Sequence, residues 1–174
     1  IGSNDFIGVM FDTYNDKING SGFYITSLGE QYDAKYSNVG NEDDSWDAVW
    51  YSATQITGKG WTFEMRIPYS ALRFSKNTSN WGLNFTRKRN KSGRQYTWNP
   101  VDPKVNGFVN QAGLWTGISN IEPPLRLSFS PYLSTSVNHY PYNTTGIKNS
   151  TYTLNGGMDV KYGINQNFTL DVTL

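Results

Sequence analysis

The chain has 174 residues and contains no Cys and one His, with aromatic residues at 16% and charged residues at 17%, a balance opposite to that of chains too polar to fold. Without Cys there are no disulfides, thiol nucleophiles or thiolate zinc sites. No stretch approaches the ~18 consecutive apolar residues of a membrane helix. The net charge of +1 conceals a partition: residues 1–64 hold ten acids and three bases, 65–94 hold eight bases and no acid, and 95–174 hold four of each.

Alternation with period two dominates the chain, and helical spacing is nearly absent. Phe6 to Asp12 is expected to be a buried strand. Asn15 to Ser21 is rich in turn residues, and Phe23 to Thr26 is a second strand. Residues 27–36 carry no clear pattern, and Ser37 to Ser45 form a polar, acidic loop. Trp46–Thr57 and Gly60–Pro68 are expected to be strands joined through Gly58-Lys59-Gly60. In the second of these, Trp61, Phe63, Met65 and Ile67 alternate with Thr62, Glu64 and Arg66, a core face against a polar one. Tyr69 to Phe74 fits a short helical turn that sends Leu72 and Phe74 into the core. Trp81, Leu83 and Phe85 alternate again, and Trp115 falls in the last apolar strand.

Short strands separated by Gly, Asn and Ser turns at intervals of about ten residues make an all-β chain and an antiparallel β-sandwich over 1–121, with its N-terminal part expected to precede Ile1. Glu122-Pro123-Pro124 marks a boundary, since two prolines cannot continue a paired strand.

After the boundary the alternation becomes strict. Leu125, Leu127, Phe129, Pro131, Leu133 and Val137 occupy odd positions between Arg126, Ser128, Ser130, Tyr132, Ser134 and Ser136. Beyond a polar loop, His139–Ser150, the series Tyr152, Leu154, Met158, Val160, Tyr162 and Ile164 interleaves with Thr153, Asn155, Asp159 and Lys161. A tight turn at Asn165-Gln166 leads to Phe168, Leu170, Val172 and Leu174. Strands of 10–13 residues with one apolar face, joined alternately by a long loop and a tight turn, fit a transmembrane β-barrel. Residues 125–174 would be its first three strands, too few for closure. Arg126, Asp159, Lys161 and Asp171 would face a lumen, because lipid leaves backbone groups no partner outside helices and closed barrels. The alternative is a soluble sheet with one wet face.

The stretches FIGVMFDTYNDKINGSGFYITSLGEQYDA, WTFEMRIPYSALRF, WGLNFTRKRN and YTWNPVDPKVNGFVNQAGLWTGISNIEPPLRLSFSPYLS resemble an uncharacterised Gram-negative outer-membrane family. Its members join a domain like carbohydrate-binding module family 9 to a C-terminal β-barrel. GGMDVKYGINQNFTLDVTL resembles that family's first barrel hairpin. The resemblance implies a sugar-binding ancestry and an outer-membrane location, and the barrel reading, with Asn165-Gln166 as a periplasmic turn and His139–Ser150 as an extracellular loop, places the sandwich on the periplasmic side.

Sugar recognition needs exposed aromatic rings beside polar groups. Trp61 and Trp81 sit on core faces by alternation. The candidates for stacking are therefore Trp98, Trp50 and Trp46, with Arg94 and Asp47 as hydroxyl partners. Asp12, Asn15, Asp16 and Asn19 offer hard oxygen ligands in one turn, which suits a structural Ca²⁺; the same residues equally make Asx turns. Arg87, Lys88, Arg89, Lys91 and Arg94 surround the turn Asn90-Lys91-Ser92-Gly93 and are expected to tip a hairpin, not to bind nucleic acid, since the acidic block would repel phosphate.

No catalytic constellation is visible: a glycosidase needs two carboxylates flanking a cleft, and His139 has no nucleophile motif near it. The expectation is a non-enzymatic outer-membrane protein, in contact with lipid, that binds or takes up glycan. The alternatives are a carbohydrate-binding module of a glycan-degrading hydrolase, or a structural partner of an outer-membrane transporter complex without sugar binding.

Overall fold

In the computed structural model, which describes residues 3–37, 42–141, 145–146, 148–165 and 168–174, the fold is all-β and antiparallel. The strands are β1 (Phe6–Asp12), β2 (Asn19–Thr26), β3 (Gln31–Ser37), β4 (Tyr51–Thr57), β5 (Gly60–Arg66), β6 (Asn80–Arg89), β7 (Arg94–Thr97), β8 (Gly113–Thr116), β9 (Leu127–His139), β10 (Ser150–Gly163) and β11 (Thr169–Thr173). They fall into two compact units, residues 1–124 and 125–174.

The first unit is sandwich-like. A six-stranded sheet runs β3-β2-β1-β6-β7, with β8 pairing the other end of β6, and a two-stranded sheet pairs β4 with β5. Alternation along β1 separates two faces. Ile7, Val9 and Phe11 look to the core side, joined by register to Ile25 and Phe23 of β2 and to Phe85 and Leu83 of β6. Val9, Phe23, Ile25, Trp50, Leu72, Phe74, Trp81 and Ile118 form the buried cluster, with Met65 and Ile67 packed against it. Trp81 is the largest fully buried side chain and meets Phe74, Tyr69, Phe11 and Trp115 at centroid distances of 5.3–6.3 Å. Burying one such ring stabilises by about 1.5–3 kcal/mol. The turn Tyr69–Ala71 follows Pro68, whose fixed φ starts it, and it delivers Leu72 and Phe74 to the core as their spacing suggests.

Three local expectations are corrected. Residues 31–37, without clear pattern in the sequence, form β3. Its charged residues are half-buried and hydrogen-bonded: Asp33 Oδ2 accepts the Ala48 N–H at 2.6 Å and Lys35 Nζ donates to Ser21 Oγ at 2.6 Å. Residues 46–50 are not strand; they cross the core face, and the strand starts at Tyr51. Phe63 and Trp115, expected in the core, are 39% and 43% exposed, because the β4–β5 pair leaves an apolar cavity of about 420 Å³ between Phe63 and Met65 on one side and Ile7, Val9 and Phe85 on the other.

The second unit is a three-stranded sheet in the order β11-β10-β9. Its strands of 13 and 14 residues, β9 and β10, extend ~43–46 Å at ~3.3 Å per residue. Parts of the 139–150 loop and of the turn at Asn165-Gln166 lie outside the described residues.

Candidate functional site

The second face of the six-stranded sheet carries a cleft whose floor follows from glycine placement. On this face β1 presents Phe6, Gly8, Met10 and Asp12, and β2 presents Tyr24, Gly22 and Gly20. Where a strand lacks side chains another group can approach the backbone closely. The Tyr24 ring lies directly on Gly8, and a Cβ at Gly22 would stand 2.6 Å from the Tyr36 ring and 2.7 Å from that of Tyr24. Tyr32 and Tyr36 of β3 stand opposite Tyr24 and Gly20, so three tyrosines converge.

Two further elements wall the cleft. Backbone hydrogen bonds in both directions between Lys35 and Asp43, 2.9 and 2.8 Å, fasten the acidic segment along the outer edge of β3. Glu42 is thereby positioned so that one oxygen, Oε1, accepts from the Tyr32 hydroxyl at 2.7 Å and the Tyr36 hydroxyl at 2.8 Å. On the other side the segment 99–112 is tied down by amides. Asn84 and Asn99 exchange hydrogen bonds of 3.1 and 2.9 Å, Asn99 donates to the Gln111 carbonyl at 2.6 Å, and Gln111 donates to the Gly107 carbonyl at 2.7 Å. That brings the Phe108 ring edge-on to Tyr36, 5.8 Å between centroids.

The resulting volume is about 510 Å³, lined also by Asp44, Thr86, Lys88 and Gln95, within the usual range of small-molecule sites. Burial pushes the Tyr24 phenol up to about 12, against a smaller lowering by its hydrogen bond with Tyr36. Burial also raises Tyr36, reinforced by Tyr24 and Glu42, and raises Tyr32, reinforced by the bond to Glu42. All three phenols are therefore neutral at physiological pH. Thr86 is 3% exposed, and its hydroxyl has no hydrogen-bond partner among the described residues.

The residues that the sequence suggests for sugar stacking lie elsewhere. Trp50 is buried in the core, 5.5 Å edge-on from Phe23, and so is corrected from a surface to a core role. Trp46 is half-buried against the same ring at 5.7 Å, with Lys35 Nζ 3.9 Å above its own centroid. Burial, and then the charge of Arg73, lowers the Lys35 ammonium to about 8. Trp98 is exposed and packs edge-on to Phe85 on the core side of the sheet. Arg94 is exposed at the start of β7, and Asp47 is exposed in the segment before β4. None of these five lines the tyrosine cleft. The tyrosines carry no signal until β3 is seen as a strand; the Tyr32-x-x-x-Tyr36 spacing then puts both rings on one face, beside the Gly20-x-Gly22 pair of β2.

The turn 12–19 is organised by Asx hydrogen bonds. Asp12 Oδ1 and Oδ2 accept the N–H groups of Asp16 and Lys17 at 3.2 and 2.8 Å, and Asp16 Oδ1 accepts those of Ile18 and Asn19 at 2.8 and 2.9 Å. Asn15 takes a positive φ of 51°, as turn asparagines do. Burial raises the Asp12 carboxyl; for Asp16 burial is outweighed by the Asn19 and Ile18 N–H groups, which lower it. Among the described residues no group of three or more acidic or His side chains could hold a metal ion.

In the second unit the register places residues face by face. Leu127, Phe129, Pro131, Leu133 and Val137 stand opposite Tyr162, Val160, Met158, Gly156 and Tyr152, and Leu170 and Val172 continue the same side. The other side carries Ser128, Ser130, Lys161, Asp159 and Asp171. Lys161 pairs with Asp171 at 3.4 Å, and Asp159 accepts from the Thr173 hydroxyl at 2.8 Å. Arg126 lies on this polar side too: its guanidinium covers Gly163 and donates to the Asn165 carbonyl. The four polar residues expected together thus share one face, and Tyr132 covers Gly157 on it.

Residues 123–174 match the family model described as a domain of unknown function, DUF5916. No curated protein and no solved structure matches the chain.

Proposed function

We propose that the chain is part of a non-enzymatic outer-membrane β-barrel protein, with residues 125–174 supplying barrel strands and residues 1–121 forming a periplasmic domain of carbohydrate-binding type. One observation carries the barrel: β9 and β10 pair over thirteen positions, with one side apolar except at Thr135, Gly156 and the closing His139–Ser150 pair, and the other polar or small except at Tyr132. Exposed side chains on the apolar face, among them Leu133 at 76% and Leu154 at 70%, cannot be left in water over such an area without association, and a lipid band of ~25 Å is the surface they suit. On the opposite side the Lys161–Asp171 pair, Asp159 and Arg126 face a lumen. The β10–β11 connection is then periplasmic and the β9–β10 connection extracellular, as in other outer-membrane barrels. A closed barrel of about eight strands takes more than the three of this sheet.

The glycan part is supported by the resemblance described above and by an aromatic cleft with polar walls on the sandwich. The full protein should partition into membranes, require detergent for extraction, and run faster in gels unheated than boiled. A product that is freely soluble, with migration unaffected by heating, would defeat the barrel.

A further inference from the structure

We propose that the glycan site of the sandwich is the tyrosine cleft and not the tryptophans, and that it takes a neutral mono- or disaccharide. This rests on the carbohydrate-binding assignment above and locates it. The Thr86 hydroxyl is 97% buried by its 3% exposure, borders the cleft, and has no partner among the described residues. A buried hydroxyl without a hydrogen bond is destabilising, so an occupant that supplies the bond is favoured.

The chemistry around Thr86 selects the occupant. Glu42 and Asp44 accept hydrogen bonds, Lys88 donates them, and Gln95 does both. The two carboxylates repel an anionic ligand, and they outnumber the single ammonium, Lys88, that opposes a cationic one. A sugar hydroxyl both donates and accepts, so a ring bearing several satisfies all of them while staying uncharged. Tyr32 and Tyr36, half-buried at the cleft, supply aromatic surface for the C–H side of a pyranose, and the buried Tyr24 ring, 5.9 Å from Tyr32, backs them. Glu42 holds two of the phenols in place from outside the ring stack, which fixes the aromatic wall before any ligand arrives.

The test is titration of the full detergent-solubilised protein with glucose, galactose, mannose, xylose, N-acetylglucosamine, cellobiose and maltose, read by saturation-transfer NMR, with tetramethylammonium and inorganic phosphate as charged probes. At least one saccharide should bind, and Thr86→Val should weaken it tenfold or more without lowering the unliganded protein's melting temperature. Gln95→Ala, at an exposed position that folding does not need, should weaken it threefold or more, and Trp98→Ala should leave it unchanged. Saccharide binding that survives Thr86→Val and Gln95→Ala, or that vanishes in Trp98→Ala, would overturn the cleft while leaving a sugar-binding sandwich. Tighter binding of tetramethylammonium or phosphate would overturn the choice of a neutral ligand. If no saccharide bound at all, both the cleft and the carbohydrate-binding assignment would fall.

Discussion

Replacing Leu133 with Arg separates a lipid-facing sheet from a soluble one. Leu133 is the seventh of the thirteen residues of β9. At ~3.3 Å per residue and a tilt of ~40° typical of such barrels, the strand rises ~33 Å along the membrane normal, which puts Leu133 near the midplane. There an Arg on the lipid side costs ~2–4 kcal/mol, falling to ~0–1 near the interfaces. Since ~1.4 kcal/mol is a factor of ten, the folding equilibrium constant should drop by roughly 30- to 1000-fold. Ser134→Arg sits at nearly the same depth but on the side shared with Asp159 and Lys161, and should cost almost nothing. Leu127→Arg, at the strand end, should cost ~1 kcal/mol or less. The assay is urea-dependent folding of the full protein into phospholipid vesicles, read by the heat-dependent gel shift. Equal costs at 133 and 134, or no depth dependence between 127 and 133, would refute the sidedness.

The sandwich yields further expectations. Trp81→Ala should destabilise the first unit by ~3–5 kcal/mol, measured by denaturant titration, whereas Trp98→Ala, at a position 57% exposed, should cost far less; comparable losses would contradict the burial described. Lys35, held to about 8 by burial and Arg73, gives up its proton in the folded state at a pH where the unfolded chain still holds it. Stability should therefore rise from about pH 8 toward the ordinary lysine value of 10.5. Lys35→Met should flatten that rise; comparing the two proteins from pH 7.5 to 9.5 isolates it from the buried phenols, whose raised pKa values draw stability down above about pH 10. No difference in slope would refute the buried ammonium. Gly22→Val should push the Tyr24 and Tyr36 rings apart, lowering stability and shifting the near-ultraviolet dichroism of the tyrosines; an unchanged spectrum would show that the rings do not rest on Gly22.

The second unit was the most legible part of the chain, because strict alternation over a dozen residues fixes both strand and face. β1 and the Tyr69–Ala71 turn were equally readable, from an apolar run between turn signals and from Pro68. The failures share a physical cause. β3 places Asp33 and Lys35 where a strand would normally be apolar, and the Ala48 N–H, the Ser21 hydroxyl and the Trp46 ring make that tolerable; none of these partners is visible from local sequence. Trp46 and Trp50 are four residues apart, which suggests one strand face, yet they approach the same Phe23 ring from a segment that is not strand. Choosing tryptophan as the sugar-stacking residue followed its size. The cleft instead follows from what is missing at Gly8, Gly20 and Gly22, which only the pairing register brings beside the tyrosines.

The most direct test of the central claim introduces single cysteines along β9, in a chain that has none of its own over residues 1–174, and spin-labels them in the membrane-embedded full protein with any Cys outside these residues replaced. Labels at 127, 129, 131, 133 and 137 are expected to be reached by oxygen and shielded from a polar nickel reagent, and labels at 128, 130, 132, 134 and 136 to show the reverse, with a period of two. Accessibility that is uniform along the strand, or polar at both sets of positions, would contradict a lipid-facing sheet.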